Sequence, residues 1–186
     1  RPDVVVSGIN IGDNITIQDI LASGTIAAAL QAALLGIPAI AFSMDVPEDK
    51  TFLLGSQYPE FQFAAKVAAG ITLEVLREGL PPGVDLLNVN FPWGMDAKTD
   101  VKITTVERRK YKDYVIERKD PRGHPYYWLW GARLAQVEVN SDAYAIQNEH
   151  AISVSPIGLN ISHAQDKEVR ALGDRVRLRV KEAVSE

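Results

Sequence analysis

Small and amide residues follow the first hydrophobic run of the sequence. "DVVVSG" at 3–8 leads into "INIGDN" at 9–14, and "SGT" follows at 23–25. The neutral side-chain oxygens of residues such as Asn10 suit a hard divalent cation, whereas backbone N–H groups at a glycine-rich turn or a helix start suit phosphate. The same residue types are also ordinary turn and cap residues. The spacing alone therefore leaves a turn and a binding site both open.

The elements around these residues predict a βαβ unit. "DVVVSG" is a short continuous run, typical of a parallel strand buried on both faces. "SGTIAAALQAALLG" at 23–36 predicts a helix with Ser23 as its N-cap, and "PAIAFS" at 38–43 predicts the next strand. In an open α/β sheet, ligands bind outside the carboxyl ends of the strands. Both loops would then converge on one phosphate pocket.

Helix and strand patterns continue to alternate as far as residue 94. Apolar residues at steps of three and four predict a helix over 59–79 that packs on the sheet; they are Phe61, Ala64, Ala68, Ile71 and Val75. "PPGVDLLNVNFPWG" at 81–94 reads as turn, strand, turn. This alternation predicts a doubly wound α/β layer with a mostly parallel sheet.

The regular alternation of helix and strand patterns does not continue after residue 95. We expect residues 1–95 to form the core, 96–140 to form a projecting β-hairpin region with the turn "DPRGHP", and 141–186 to return to the core. A C-terminal surface helix is predicted over 165–184 from Val169, Leu172, Val176 and Val180.

Composition and charge exclude several classes of function. The 186 residues carry 20 Lys and Arg against 24 Asp and Glu, for a net charge of -4, so there is no overall basic field to hold nucleic acid or anionic lipid. Cysteine is absent, which excludes a disulfide scaffold and thiolate metal sites. No run approaches the length of a membrane span. We expect a cytoplasmic protein without a nucleic acid or membrane partner.

Several motifs together resemble the SurE family of metal-dependent nucleotide phosphatases. "PDVVVSGINIGDN", "SGTIAAAL", "LGIPAIAFS", "LLNVNFP", "DPRGHPYYWLWG" and "SDAYAIQNEHAISVSPI" occur in the family's order. The resemblance implies a Rossmann-like fold and hydrolysis of nucleoside monophosphates to nucleoside and phosphate. It also implies one bound divalent cation, Mg²⁺ or Mn²⁺, and assembly into a homodimer or homotetramer.

The resemblance also assigns roles to residues of this chain. Asn10 matches a metal ligand, and Asn14, Ser23, Gly24 and Thr25 match the part of the site that receives phosphate. The family's other ligands, two adjacent aspartates and a serine, have no match, and the sequence contains no Asp-Asp pair. The catalytic residues are therefore unknown, and we expect a missing N-terminal segment. The alternative is a nucleotide or phosphate binding module without catalysis, or a structural subunit.

Other polar and aromatic residues have structural interpretations. Asp13 and Asp19 are expected to be solvent-facing loop acids, and Asn88 and Asn90 are expected to satisfy backbone groups at a strand end. The mixed basic, acidic and aromatic segment 107–119 favours a solvated hairpin or a subunit contact over nucleic acid. An interface would suit four aromatic residues further along the chain: Tyr126, Tyr127, Trp128 and Trp130.

Overall fold

The structure is a computed structural model that describes residues 1–47, 50, 59–162 and 166–184. Its strands are β1 (Val5–Ile11), β2 (Ala39–Asp45), β3 (Leu86–Pro92), β4 (Val101–Ile103), β5 (Tyr111–Lys119), β6 (Pro125–Arg133) and β7 (Ile152–Ile157). Its helices are α1 (Thr16–Ile20), α2 (Gly24–Leu34), α3 (Pro59–Glu78), α4 (Asp142–Gln147) and α5 (Lys167–Val184).

Five strands form the main sheet, in the order β1-β2-β3-β7-β4. The pairs β1 with β2, β2 with β3 and β4 with β7 are parallel, and β3 with β7 is antiparallel. The prediction of a mostly parallel α/β sheet is confirmed. The carboxyl ends of β1, β2 and β3 consequently meet at one edge.

Helices cover both faces of this sheet, and alternate side chains of β2 show why. Ala39 and Ala41 pack with the buried face of α2, whereas Ile40, Phe42 and Met44 pack in a second cluster with α3. A strand buried on both faces reads as a continuous apolar run. The predicted apolar stripe of α3 faces this second cluster, with Ala64, Ala68 and Val75 buried and Phe61 and Ile71 partly buried.

The hairpin, formed by β5 and β6, is a separate two-stranded antiparallel sheet. Most of its side chains are exposed, including those of Trp128, Leu129 and Trp130. The C-terminal helix α5 is present, and Val169, Leu172, Val176 and Val180 on it are exposed. The division into 1–95, 96–140 and 141–186 stays a prediction. Within its middle segment, β4 pairs with β7 in the main sheet.

Two short elements were not expected from the sequence. Helix α1 has five residues and begins at Thr16, whose φ is +74°, a conformation that is rare for a β-branched residue. Strand β4 has three residues, and Val101 and Ile103 in it are exposed. Neither element is long enough to show a periodicity of apolar residues, so tertiary contacts determine the conformation of both segments.

Candidate functional site

A large cleft lies between the carboxyl ends of β1, β2 and β3 and the base of the hairpin, with a volume of about 960 Å³. The core side contributes Asn10, Ile11, Gly12, Asp13, Asp45, Val46, Pro47 and Trp93; the hairpin and the residue before it contribute Lys110, Tyr111, Asp113, Leu129, Trp130, Gly131 and Arg133. Ligand sites of α/β sheets are found at this edge, so the cleft is the candidate functional site.

An irregularity in β1 brings Asn10 to the cleft. Ser7 pairs with Ala41 and Asn10 with Ser43, so two residues of β1 lie opposite one residue of β2, which is the pattern of a β-bulge. Gly8 makes this possible. Its φ is +106°, and a Cβ there would lie 2.1 Å from the carbonyl oxygen of Phe42.

The side chain of Asn10 is fixed by the backbone that follows β1. Its Nδ2 donates a hydrogen bond to the carbonyl oxygen of Gly12 at 2.8 Å. The amide nitrogen is therefore committed to the protein, whereas Oδ1 accepts no hydrogen bond from the described residues. The structure thus leaves in the cleft a neutral oxygen of the kind that a hard cation binds.

Asn14, the first of the four expected phosphate ligands, is buried in a network that holds the loop to the sheet. Its Nδ2 donates to Ser43 Oγ at 2.6 Å, and its backbone N–H donates to Asn90 Oδ1 at 2.8 Å. Asn88 Nδ2 donates to the carbonyl oxygen of Asn14 at 2.8 Å. The expectation that Asn88 and Asn90 satisfy backbone groups agrees with this geometry. Asn14 does not line the cleft.

The other three expected phosphate ligands begin helix α2. Ser23 is the N-cap, and its Oγ accepts a hydrogen bond from the backbone N–H of Ile26 at 3.2 Å. Gly24 is exposed and Thr25 is half-buried. None of the three lines the cleft. The structure brings only Asn10 of the five expected residues into it.

Beside Asn10 lies a charged cluster that the sequence did not reveal, formed by Asp13, Asp19, Asp45, Lys110 and Arg133. Lys110 Nζ donates to Asp13 Oδ1 and, at 2.8 Å, to Asp19 Oδ2. Arg133 Nη2 lies 3.0 Å from Asp45 Oδ1 and 3.6 Å from Asp13 Oδ2. The expectation that Asp13 faces solvent is wrong, because that residue is only 8% exposed.

Burial and the neighbouring charges set the protonation of this cluster. Desolvation raises the pKa of the Asp13 carboxyl, the Lys110 ammonium opposes this shift, and Asp45 adds to it. Burial by itself would lower the pKa of Lys110, but Asp13 and Asp19 outweigh that effect and raise it overall. Lys110 therefore remains a cation, and it is the partner that keeps a buried carboxylate tolerable.

A second buried carboxylate, that of Asp142, fixes the same loop from the other side. Its Oδ2 accepts the N–H of Thr16 at 2.8 Å, and its Oδ1 accepts the N–H groups of Glu107 at 2.9 Å and Ala143 at 2.8 Å. Burial raises the pKa of Asp142, and these backbone donors oppose the shift. No local signal could have identified this contact, because Asp142 and Thr16 are 126 residues apart.

The donor set of the cleft fits part of a metal centre. Asn10 supplies one neutral oxygen, while Asp13 and Asp45 are engaged by Lys110 and Arg133. Within the described ranges, no group of three or more His, Cys, Asp and Glu side chains could hold a metal ion. Since Mg²⁺ needs six oxygen ligands, Asn10 fits as one ligand, and the described residues do not complete the set.

The fold is that of an α/β protein of the Rossmann-like class, and its candidate ligand site is the cleft at the strand ends. A family model described as survival protein SurE matches residues 1–113. Since this match covers more than half of the sequence, the chain belongs to the SurE family.

Curated relatives and a solved structure agree with this assignment. The chain is 45% identical over 185 residues to the 5'-nucleotidase SurE of Hyperthermus butylicus, covering 100% of this chain and 64% of the relative. It is 44% identical over 162 residues to the 5'-nucleotidase SurE of Methanosarcina mazei, covering 86% and 61%. The crystal structure of the SurE protein from Aquifex aeolicus is similar with a TM-score of 0.72 and 34% identity, covering 92% of this chain and 66% of that one.

The chain therefore spans less than two thirds of the length of these relatives. Among the described residues, none of the helices combines the length and apolarity that a membrane span requires.

Proposed function

We propose that the protein containing this chain is a metal-dependent phosphomonoesterase that hydrolyses nucleoside monophosphates to nucleoside and phosphate. The observation that carries the proposal is the position of Asn10. Its oriented side chain lines a cleft of about 960 Å³ at the strand ends, where α/β proteins bind ligands. Relatives of 40–45% identity are named 5'-nucleotidase SurE, which supports this substrate class.

Asn10 is the proposed ligand of one divalent cation, Mg²⁺ or Mn²⁺. When bound, such a cation polarises phosphoryl oxygens and lowers the pKa of a coordinated water. The remaining protein ligands, two adjacent aspartates and a serine, are proposed to lie in a part of the protein outside this chain. The chain's own contribution is to position Asn10 on β1 and to orient its amide through Gly12.

Phosphate is proposed to bind where the loop after β1 meets the start of α2. Ser23, Gly24 and Thr25 open that helix, where unpaired N–H groups and the helix dipole favour an anion. Asn14 is proposed to act with them. Its contacts to Ser43, Asn88 and Asn90 would keep the loop rigid.

The proposed assembly is a homodimer or homotetramer joined through the hairpin. Tyr114 pairs with Trp130 and Ile116 with Trp128, so these four side chains share one face of the hairpin. Trp128 is 54% exposed. An exposed aromatic patch of this kind is typical of a protein interface. Trp128→Ala should shift the solution mass towards smaller species, and an unchanged mass would argue against the hairpin as the contact.

A cytoplasmic location remains a prediction.

Release of inorganic phosphate tests the activity. The full-length protein should hydrolyse nucleoside monophosphates with Mn²⁺ or Mg²⁺ and lose this activity in EDTA. Asn10→Ala should weaken Mn²⁺ binding, measured by calorimetry, while Asn10→Asp, which keeps an oxygen ligand, should retain it. Asn148→Ala, at an exposed asparagine outside the cleft, is the matched control. A folded protein that releases no phosphate with any metal would favour a binding module without catalysis.

A further inference from the structure

Asp142 connects three segments that are far apart in the sequence. Its Oδ2 accepts the backbone N–H of Thr16, and its Oδ1 accepts those of Glu107 and Ala143. The side chain is fully buried and lies outside the lining of the cleft. Because a buried carboxyl group is costly unless its oxygens accept hydrogen bonds, these contacts are an essential part of its environment. Asp142 can therefore act on a ligand only through the backbone that it holds.

Thr16 is held in a backbone conformation that its residue type disfavours. Its φ of +74° lies in the left-handed region, where a Cβ comes too close to a carbonyl oxygen of the backbone. The hydroxyl does not stabilise this conformation, because Oγ1 is buried without a hydrogen-bond partner among the described residues. The surroundings must therefore impose it. Thr16 N–H donates to Asp142, and the next N–H, that of Ile17, donates to the carbonyl oxygen of Glu107 at 2.7 Å.

The strained residue lies within the segment that connects the two parts of the proposed phosphate site. Asn14 is at one end of this segment, bonded to β2 and β3, and residues 23–25 are at the other, where α2 begins. Ile15 is fully buried and packs with α4. A different backbone path at Thr16 would consequently change the relative positions of the groups that are proposed to bind phosphate.

Different contacts position the proposed metal ligand. Asn10 lies on β1 in register with Ser43 of β2, and the carbonyl oxygen of Gly12 orients its amide. These contacts precede Thr16 in the chain and do not involve Asp142. Release of Thr16 would therefore disturb the phosphate site and leave the metal ligand in place.

We propose that Asp142 is a positioning residue for the phosphate site and that it acts by holding Thr16 in the left-handed conformation. This inference rests on the proposed function. A residue with a Cβ disfavours that conformation by a factor of roughly 5 to 30. Without the hydrogen bond to Asp142, only a minority of molecules would keep the native path of the loop. The apparent affinity for phosphate falls in proportion to that fraction.

The first test is Asp142→Asn in the full-length protein. An amide has one acceptor oxygen, and when this oxygen keeps the two donors on the Oδ1 side, the NH₂ group faces the N–H of Thr16 and cannot hold it. Calorimetry in the presence of Mn²⁺ should show that inorganic phosphate binds about 5- to 30-fold more weakly than to wild type. The value of kcat/KM for AMP should fall with it, whereas the affinity for Mn²⁺ should be unchanged.

Asp85→Asn is the matched control. Asp85 Oδ2 likewise accepts a backbone N–H, that of Leu159 at 2.6 Å. The residue precedes β3, at the edge of the sheet opposite the cleft. Its substitution removes a comparable contact and should leave the affinities for phosphate and for Mn²⁺ unchanged.

A second substitution separates positioning from a general loss of stability. Thr16→Gly removes the penalty of the left-handed conformation, so adding it to Asp142→Asn should restore most of the phosphate affinity. Thr16→Ala removes nearly the same side-chain atoms but keeps the Cβ, so adding it should restore none. A merely structural role for Asp142 would give the same result with both, because neither substitution replaces the lost carboxylate.

If Asp142→Asn does not fold, hydrogen exchange in protein that retains Asp142 decides the question. The backbone amides of Asn14 and Ile17 should exchange several-fold faster in Thr16→Ala than in Thr16→Gly, because opening of the loop relieves strain only where a Cβ is present. Equal exchange in the two variants would overturn the proposal.

Two results with folded Asp142→Asn would also overturn it: a phosphate affinity equal to that of wild type, or equal recovery with glycine and alanine at position 16. Hydrolysis of nucleoside monophosphates by wild type would then leave the proposed function standing. In contrast, weakened phosphate binding that Thr16→Gly restores, in a protein that releases no phosphate from any nucleotide, would support the positioning role while the proposed catalytic function fails.

Discussion

Replacing Lys110 by methionine is expected to destabilise the protein strongly. From the sequence alone, a lysine in a basic segment would be expected at the surface, where its replacement changes stability little. Methionine keeps much of the aliphatic length and removes the ammonium group. Lys110 is 4% exposed, and its Nζ is held between Asp13 and Asp19. The substitution would leave the Asp13 carboxylate buried without its main cation.

The structure sets the size of the expected effect. Removing one partner of a buried ion pair costs about 3–5 kcal/mol. Arg133 stays 3.6 Å from Asp13 Oδ2, which favours the lower end, about 3 kcal/mol. For a chain of this length that corresponds to a fall in Tm of about 6–12 °C. Burial already raises the pKa of Asp13, so protonation relieves the unpaired charge, and the cost should be smaller at pH 5 than at pH 8.

Urea unfolding of the full-length protein at both pH values measures this cost. Lys112→Met, at an exposed position two residues along the hairpin, should change stability by less than about 0.5 kcal/mol. Adding Asp13→Asn to Lys110→Met should recover at least half of the loss, because it removes the stranded charge. A loss below about 1 kcal/mol at pH 8, or additive effects of the two substitutions, would refute the reasoning.

Further predictions concern the loop geometry, a buried acid and a helix cap. Gly8→Ala should cost more than about 2 kcal/mol in thermal unfolding, because its methyl group would collide with the carbonyl oxygen of Phe42; Gly83→Ala, also at positive φ but in open space, should cost less. Burial raises the pKa of Asp142 in the folded state above its ordinary value of 3.8. The stability that the protonated carboxyl contributes to the folded state is therefore fully present below pH 3.8 and is lost as pH rises through the folded-state pKa. In urea unfolding, the stability advantage of wild type over Asp142→Asn should shrink over that pH window. Ser23→Ala should cost about 1 kcal/mol, and Ser23→Asp should restore the cap while its charge weakens binding of inorganic phosphate, measured by calorimetry.

Each of these has an outcome that contradicts it. Equal losses for the two glycine variants would mean that backbone strain, and not the collision, sets the cost. A difference between wild type and Asp142→Asn that is independent of pH would show that the carboxyl is not perturbed. Unchanged phosphate affinity in Ser23→Asp would leave Ser23 as a helix cap alone.

The layered fold could be predicted because the pattern of apolar residues in a long helix or strand shows which of its faces are buried. Strand β2 is apolar at nearly every position because helices cover both of its faces. The stripe on α3 likewise repeats over twenty residues. Strand β4 and helix α1 are too short for a repeat, and Thr16 in α1 adopts a backbone conformation that its residue type disfavours.

Candidate site residues could be recognised only where the local sequence carries the signal. Asn10 lies near the end of β1, in a glycine-rich segment, and that pattern alone predicts a position at a strand end. Asp13 lies in the loop that follows β1, yet its partner Lys110 is 97 residues away. A solvent-facing acid and an acid in a buried ion pair look the same in the local sequence. The charged cluster could therefore be recognised only from the tertiary structure.

The charged cluster also links two parts of the molecule that are far apart in the sequence, the loop after β1 and the base of the hairpin. Strand β1, which carries Asn10, is followed by the loop that contains Asp13 and then by helix α1, which contains Gln18. Gln18 Oε1 accepts the backbone N–H groups of Lys110 at 3.2 Å and Tyr111 at 3.3 Å. These residues lead into the hairpin that forms the opposite wall of the cleft. A substitution that loosens the base of the hairpin should therefore also disturb the loop that follows Asn10, so the proposed assembly through the hairpin and the proposed metal site would depend on the same contacts.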